Sequence, residues 1–108
     1  MKNHTEHHVK INVNGFLNRN TEKLFSKKMS AVHLHKNDQL ILELSDLVME
    51  DQRALSTLAN LHEKVRKKGA VLILKNISAS VYMLLNITQT LNYFNIENEE
   101  YRYAKNVA

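Results

Sequence analysis

The sequence predicts an α/β fold with a mixed central β-sheet, opened by a β-hairpin and covered by α-helices. Two short, nearly continuous apolar runs, Leu40 to Leu44 and Val71 to Leu74, are typical of strands buried on both faces. Each run is followed by a helical pattern, and alternation of strands and helices implies βαβ crossovers. Because the chain has 108 residues, 44% of them hydrophobic, we expect one compact domain.

The opening of the chain shows the period of a half-buried strand. Residues 1–8 are polar and are expected to form a flexible N-terminus. Val9, Ile11 and Val13 then alternate with polar residues, which predicts a strand. Gly15, followed by Phe16 and Leu17, indicates a turn into a short second strand. We expect these two strands to pair antiparallel.

Three helices are predicted, each preceded by a residue that can cap it. Asn20 or Thr21 caps the first helix, Asp51 the second and Ser78 the third, and Gly69 ends the second in a left-handed conformation. The residues expected on inner faces are Leu24, Phe25, Met29 and Val32, then Leu55, Leu58, Ala59, His62 and Val65, then Val81, Leu84, Leu85, Thr88 and Leu91.

The predicted domain covers residues 9–96 and ends in an edge strand from Tyr93 to Ile96. Residues 97–108 form a C-terminal tail rich in acidic and tyrosine residues. The strands and helices together predict a core that includes Leu42, Leu44, Leu58, Leu72, Leu74 and Leu84.

Composition excludes several classes of protein. The chain has no cysteine, so disulfides, thiolate nucleophiles and cysteine-ligated metal sites are ruled out. No stretch approaches the ~20 apolar residues of a membrane span, and the first ten residues lack the apolar run of a signal peptide. We therefore expect a cytoplasmic location without direct membrane insertion.

The segment from Leu42 to Asp51, followed by Gln52, Arg53, Ala54 and Leu55, resembles a STAS domain. That family includes anti-anti-sigma factors, which are anti-sigma factor antagonists, and the cytoplasmic domain of sulfate-type transporters. Its order is an apolar strand, a short turn, an aspartate that opens a helix, and a second apolar strand. The resemblance extends from about Val9 to Ile96 and implies a regulatory protein-binding module.

This sequence departs from the family pattern at the opening of the second helix. Phospho-regulated members open it with Asp-Ser-Ser-Gly, and the second hydroxyl accepts phosphate from a partner kinase. Here Gln52 and Arg53 occupy the hydroxyl positions and Ala54 replaces the glycine. Arg53 has no hydroxyl, so we expect a non-phosphorylatable position. Ser56 and Thr57 are weaker substitutes, since hydroxyl residues are common on solvated helix faces.

The resemblance implies a partner-binding surface at the turn and first helical residues, and two classes of protein partner. An anti-sigma kinase-like protein is the first, and a component of a sulfate-type or lipid ABC transporter is the alternative. Arg53 is either a constitutive contact with a carboxylate of the partner or a neutral substitution on a solvated helix. The expected binding residues are Met49, Glu50, Asp51, Gln52, Arg53, Ala54 and Ser78.

No catalytic residue, cofactor or metal is expected. The two glycines are too far apart for a phosphate-binding loop. Asp46 and Asp51 are better explained as a turn residue and a helix cap than as an acid–base pair with Glu50. The N-terminal histidines His4, His7 and His8 with Glu6 have no preorganised geometry for a metal, and His33 and His35 are interpreted as surface residues.

A basic cluster is the candidate for nucleic-acid binding. Its cations follow one another near the end of the second helix, where they also interact favourably with the helix dipole. No aromatic residues are interleaved for stacking on bases, so nucleic-acid binding through this helix end is the less favoured alternative function, and no nucleic-acid partner is expected. The cluster comprises Lys64, Arg66, Lys67, Lys68 and Lys75.

Overall fold

Two parallel sheets and three helices make up residues 7–98, the part of the chain that the computed structural model describes. The predicted α/β class is therefore confirmed. Most of the predicted flexible N-terminus and of the predicted tail lies outside the described residues. The elements in order are β1 (His8–Asn12), β2 (Gly15–Leu17), α1 (Glu22–Ser30), β3 (Gln39–Glu43), β4 (Leu47–Met49), α2 (Gln52–Lys67), β5 (Val71–Lys75), α3 (Ala79–Ile87) and β6 (Asn95–Glu97).

The main sheet has four strands in the order β1-β3-β5-β6, and every pair in it is parallel. The two apolar runs lie side by side at its centre, with Leu40 opposite Leu72 and Leu42 opposite Leu74. On one face of this pair, Leu40, Leu42, Leu72 and Leu74 are buried in the core. On the other face Ile73 is buried, but Ile41 is half-buried and Val71 is 40% exposed, so the expected burial on both faces is wrong at these two positions. The predicted edge strand at the end of the domain is β6.

The expected opening hairpin, and with it the mixed strand direction, is wrong. β1 pairs parallel with β3, and β2 pairs parallel with β4 in a separate two-stranded sheet. Residues 13–15, which link β1 to β2, run beside residues 43–46, which link β3 to β4. The Val13 N–H donates to Glu43 O (3.0 Å) and the Gly15 N–H donates to Asp46 O (3.1 Å). Gly15, at φ +82°, therefore bends the chain between sheets and does not reverse it.

Apolar side chains from the strands and helices form one core. Five of the six predicted core leucines are buried, and Leu84 is half-buried. Leu24 was expected on the inner face of α1 but is exposed, because α1 buries Phe25 and Met29, four residues apart on another side. In α2 the buried residues are Ala54, Leu58, Leu61 and Val65, so the inner face is rotated slightly from the expected one.

The helix ends follow the predicted capping chemistry at two of three starts. Asp51 and Ser78 accept hydrogen bonds from Ala54 N (3.0 Å) and Val81 N (3.3 Å). Thr21 stands at the start of α1 without capping it through its side chain. Gly69 follows α2 at φ +80°, as predicted. α2 is the central helix, in contact with β5, α1 and α3.

Candidate partner-binding surface

The predicted binding segment is an exposed turn held between two buried anchors. Met49, the last residue of β4, and Ala54, in the first turn of α2, are each 1% exposed. They were predicted as contact residues, but they pack in the core and support the turn from beneath. Glu50, Asp51, Gln52 and Arg53 lie between them and are exposed. The surface available to a partner is therefore narrower than the predicted one.

The start of α3 lies directly beside this turn. The Ser78 hydroxyl donates to Leu47 O (2.6 Å), and the Met49 N–H donates to Ser80 Oγ (3.2 Å). These two bonds join β4 to the start of α3. Ser78 thus lies at the same edge as the start of α2, as predicted. Sequence reasoning missed Ser80, because only the fold brings it to Met49.

Arg53 has a partner within the chain. Its Nε and Nη2 donate to Glu22 Oε2 at 2.9 and 2.6 Å, which joins the first turn of α2 to the first turn of α1. The hydrogen bonds from Arg53 lower the pKa of the Glu22 carboxyl. Glu22 is 31 residues away in sequence, so nothing local in the sequence indicates the pair. The guanidinium is therefore held in place without an external carboxylate.

The two hydroxyl residues near Arg53 have different surroundings. Ser56 is exposed, whereas Thr57 is half-buried. The Thr57 hydroxyl lies 3.1 Å from Arg53 O and 3.4 Å from Glu22 Oε1, so it belongs to the same polar group as the ion pair. Its side chain is occupied in joining α1 to α2.

α3 exposes an apolar face beside the turn, which sequence reasoning did not identify. Val81 and Leu85 are buried, yet Tyr82, Met83 and Ile87 are exposed, Ile87 at 71%. A helix that is apolar on nearly all sides is normally covered on all sides. The signal in the sequence is that no residue from Ala79 to Ile87 is charged, so the helix has apolar residues outside its predicted inner face.

Other candidate sites take structural roles. Within residues 7–98, no group of three or more potential metal-ligating side chains comes together. His35 and His7 are not isolated, since their Nδ1 atoms lie 3.7 and 3.5 Å from the Asp38 carboxylate, which is 3% exposed. The hydrogen bond from the His35 N–H lowers the pKa of Asp38. No helix in this part of the chain is long and apolar enough to span a membrane.

Comparison with known proteins identifies the family of this chain. No curated protein matches the chain significantly. The family model described as "STAS domain" matches residues 1–102 of the 108-residue chain. STAS domains generally act as regulatory, protein-binding modules and are generally not enzymes. Since the match covers nearly the whole chain and the α/β architecture agrees with it, this protein belongs to the STAS domain family.

Proposed function

We propose that this protein is a non-enzymatic regulatory module, similar in action to an anti-sigma factor antagonist, that binds a protein partner without a phosphorylation switch. The observation that carries the proposal is the exposed apolar face of α3 beside the start of α2. The contact residues proposed for the partner surface are the exposed turn residues Glu50, Asp51, Gln52 and Arg53, together with Ser78, Tyr82, Met83 and Ile87.

The chemistry of the α3 face suits a protein interface. Contiguous exposed apolar side chains on a small domain commonly mark a binding surface. Tyr82 combines a large apolar ring with a polar hydroxyl, a residue type enriched at binding hot spots. Met83 has a flexible thioether that adapts to a partner's shape. The neighbouring turn adds polar groups, which is the usual arrangement of an apolar centre with a polar rim.

The ion pair at Arg53 supports the absence of a switch. Resemblance to phospho-regulated members places the acceptor hydroxyl at this position, where Arg53 bonds to Glu22. Thr57, the nearest half-buried hydroxyl, is hydrogen-bonded within the same group. We therefore propose a partner contact that does not depend on phosphate.

Two partner classes remain as proposals, and both place the protein in the cytoplasm. The first is an anti-sigma kinase-like protein. The alternative is a component of a sulfate-type or lipid ABC transporter. An unswitched contact with an apolar centre favours a lasting assembly, since permanent interfaces are more apolar than transient ones. The apolar centre of the proposed surface therefore supports a transporter component as the alternative partner.

Site-specific photocrosslinking tests the surface and separates the partners. The photoreactive residue p-benzoylphenylalanine replaces Met83 in one variant and the exposed Lys10 of β1 in a control. We expect Met83 to crosslink one partner in native cells and Lys10 to leave it uncrosslinked. An ATP-binding kinase-like protein supports the first class, and a transporter component supports the alternative. Equal crosslinking from both positions contradicts the proposed surface.

Phosphorylation is tested by intact-mass measurement after incubation with ATP and the captured kinase-like protein. We expect the mass of the unmodified chain. Stoichiometric phosphate on Ser56 or Thr57 contradicts the unswitched mechanism, whereas binding through α3 is tested separately by the crosslinks.

A further inference from the structure

A groove of about 740 Å³ lies between α1 and α2, on the flank of α2 that contacts α1. Both helices begin at the end where Glu22 pairs with Arg53. Residues 23–30 of α1 and 57–67 of α2 give the groove a length of about 10 to 15 Å, which is two to three helical turns. Its residues are distinct from those of the proposed α3 surface.

Lysines line both walls of this groove. Lys23 and Lys27 come from α1, Lys64 and Lys67 from α2, and Lys68 from the end of α2. None of the five forms an ion pair with a carboxylate of residues 7–98. The carboxylate that lines the groove, Glu22, is neutralised by Arg53. The groove therefore has an excess of positive charge along its length.

The floor between the lysines carries no charge. Its apolar residues are largely buried, each less than a tenth exposed: Phe25 and Met29 of α1, Leu61 and Val65 of α2, and Leu40 of β3. An occupant that follows the groove must accordingly have an uncharged side towards the floor and negative charges on both flanks. An amphipathic helix with acidic residues beside its apolar stripe has this arrangement, and helix-in-groove binding is a recurring mode of recognition.

We propose that the groove binds an acidic amphipathic helix of a protein partner, at a second surface separate from the α3 face. Small-molecule sites are mostly apolar with few polar groups, whereas five lysines border this groove. An anionic lipid carries its charge at one end, but the lysines extend along both walls. Single-stranded nucleic acid prefers exposed aromatic rings for stacking, and the aromatic residue in this groove, Phe25, is buried.

A designed peptide is the probe. It is a fluorescein-labelled helix of about 15 residues, a length at which helices are marginal alone, with glutamates on both sides of a leucine stripe. Fluorescence anisotropy measures its affinity for the full chain. We expect binding that Lys27→Glu or Lys64→Glu weakens at least ~10-fold, because each reverses a charge at the groove. Lys28→Glu is the matched control: Lys28 is the exposed neighbour on α1, outside the groove.

Amide shifts locate the peptide on ¹⁵N-labelled protein. We expect the largest changes at Ser26, Ser30 and Asn60, which line the groove, and little change at Tyr82 and Met83. This pattern separates the groove from the α3 surface, so the failure of one proposal leaves the other testable.

Several results overturn the groove proposal. The first two are a lack of measurable peptide binding and an equal loss of affinity in Lys28→Glu and Lys27→Glu. The other two are an equal affinity for a scrambled peptide of the same composition and amide shifts confined to α3. Binding of a thymidine oligonucleotide that depends on Lys27, with no peptide binding, assigns the groove to nucleic acid instead. Circular dichroism verifies that each variant is folded.

Discussion

α2 and α3 pack against the core in the same way, but their outer faces differ. Each begins with a side-chain cap, and each buries apolar residues four apart, Leu58 following Ala54 in α2 and Leu85 following Val81 in α3. The outward side of α2 is polar, whereas that of α3 carries Met83 at 55% exposure and the still more exposed Ile87. Packing therefore explains all the apolar residues of α2 but only part of those in α3.

The difference between the outer faces of α2 and α3 indicates where a binding surface lies. An apolar side chain with no packing role in the described domain is costly in water and points to a partner. α2 instead contributes exposed polar groups to the proposed partner surface, through its first turn, and lysines to the groove on its other flank. The two helices thus offer chemically different contacts.

The largest effect is expected where the two helices are alike. Leu58→Ala and Leu85→Ala should each lower the free energy of unfolding by ~2–5 kcal/mol, because both side chains are fully buried and truncation leaves cavities. Urea denaturation measures this difference. A surface-like change of about 0.5 kcal/mol at Leu85 would break the comparison, since α3 would then not be packed as α2 is.

The next effect concerns the outer faces. The double variant Met83→Ser and Ile87→Ser should weaken binding of the crosslinked partner at least ~10-fold and change stability by no more than about 0.5 kcal/mol. Ser56→Ala, on the exposed side of α2, is the control and should change neither. Binding is measured by interferometry with the purified partner. Unchanged affinity in the double variant would remove α3 from the interface.

The caps should have smaller effects that differ between the helices. Asp51→Ala should destabilise the domain by about 0.5–2 kcal/mol, because the Ala54 N–H loses its acceptor. Ser78→Ala should cost more than Asp51→Ala, since the Ser78 hydroxyl also donates to Leu47 O. Thermal unfolding compares the two, with Asn86→Ala on the exposed side of α3 as control. A larger loss for Asp51→Ala would reverse the predicted order.

The smallest effect is expected at the ion pair between α1 and α2. Arg53 stabilises the charged form of Glu22 and lowers its pKa, so this contribution is present above the ordinary glutamate pKa and is lost as pH falls through the lowered value. The difference in stability between the wild type and Glu22→Gln should therefore shrink as pH falls below the ordinary glutamate pKa of about 4.3, and disappear once Glu22 is protonated in the folded protein. Salt at 0.5 M should also reduce it, since exposed pairs are screened.

A double-mutant cycle with Glu22→Gln and Arg53→Met isolates this pair. The Glu63–Arg66 pair within α2 is the matched control, being exposed and three residues apart. A coupling at Glu22 and Arg53 that exceeds the cap effects would reverse the expected order of the two contributions.

Much of the fold could be predicted because its signals are local or periodic. The parallel pair β3 and β5 follows from two apolar runs, and the starts of α2 and α3 from Asp51 and Ser78. The hairpin was predicted wrongly because alternation at Val9 to Val13 indicates a strand but not its neighbour. Gly15 permits both a hairpin turn and a bend between two sheets. The strand that pairs with β1 lies 31 residues further along the chain.

For the candidate site, the resemblance indicated one edge of the domain but not which of its residues are accessible. The sequence placed Met49 and Ala54 beside the exposed turn residues, and only burial separates the two anchors from them. Arg53 was expected either to contact a carboxylate of the partner or to be a neutral substitution, and the sequence did not indicate its pairing with Glu22 within the chain.

By itself the sequence determined the α/β class, the two central strands with their buried leucines, the caps of two helices and the absence of a hydroxyl at position 53. Each depends on neighbouring residues or on a period along one element, so no knowledge of distant contacts is needed. The tertiary structure decided the pairing of β1 and β2, the Glu22–Arg53 bond, the exposed side of α3 and the lysine-lined groove. Each of these depends on how separate elements are oriented in space, and the same local pattern is compatible with several orientations.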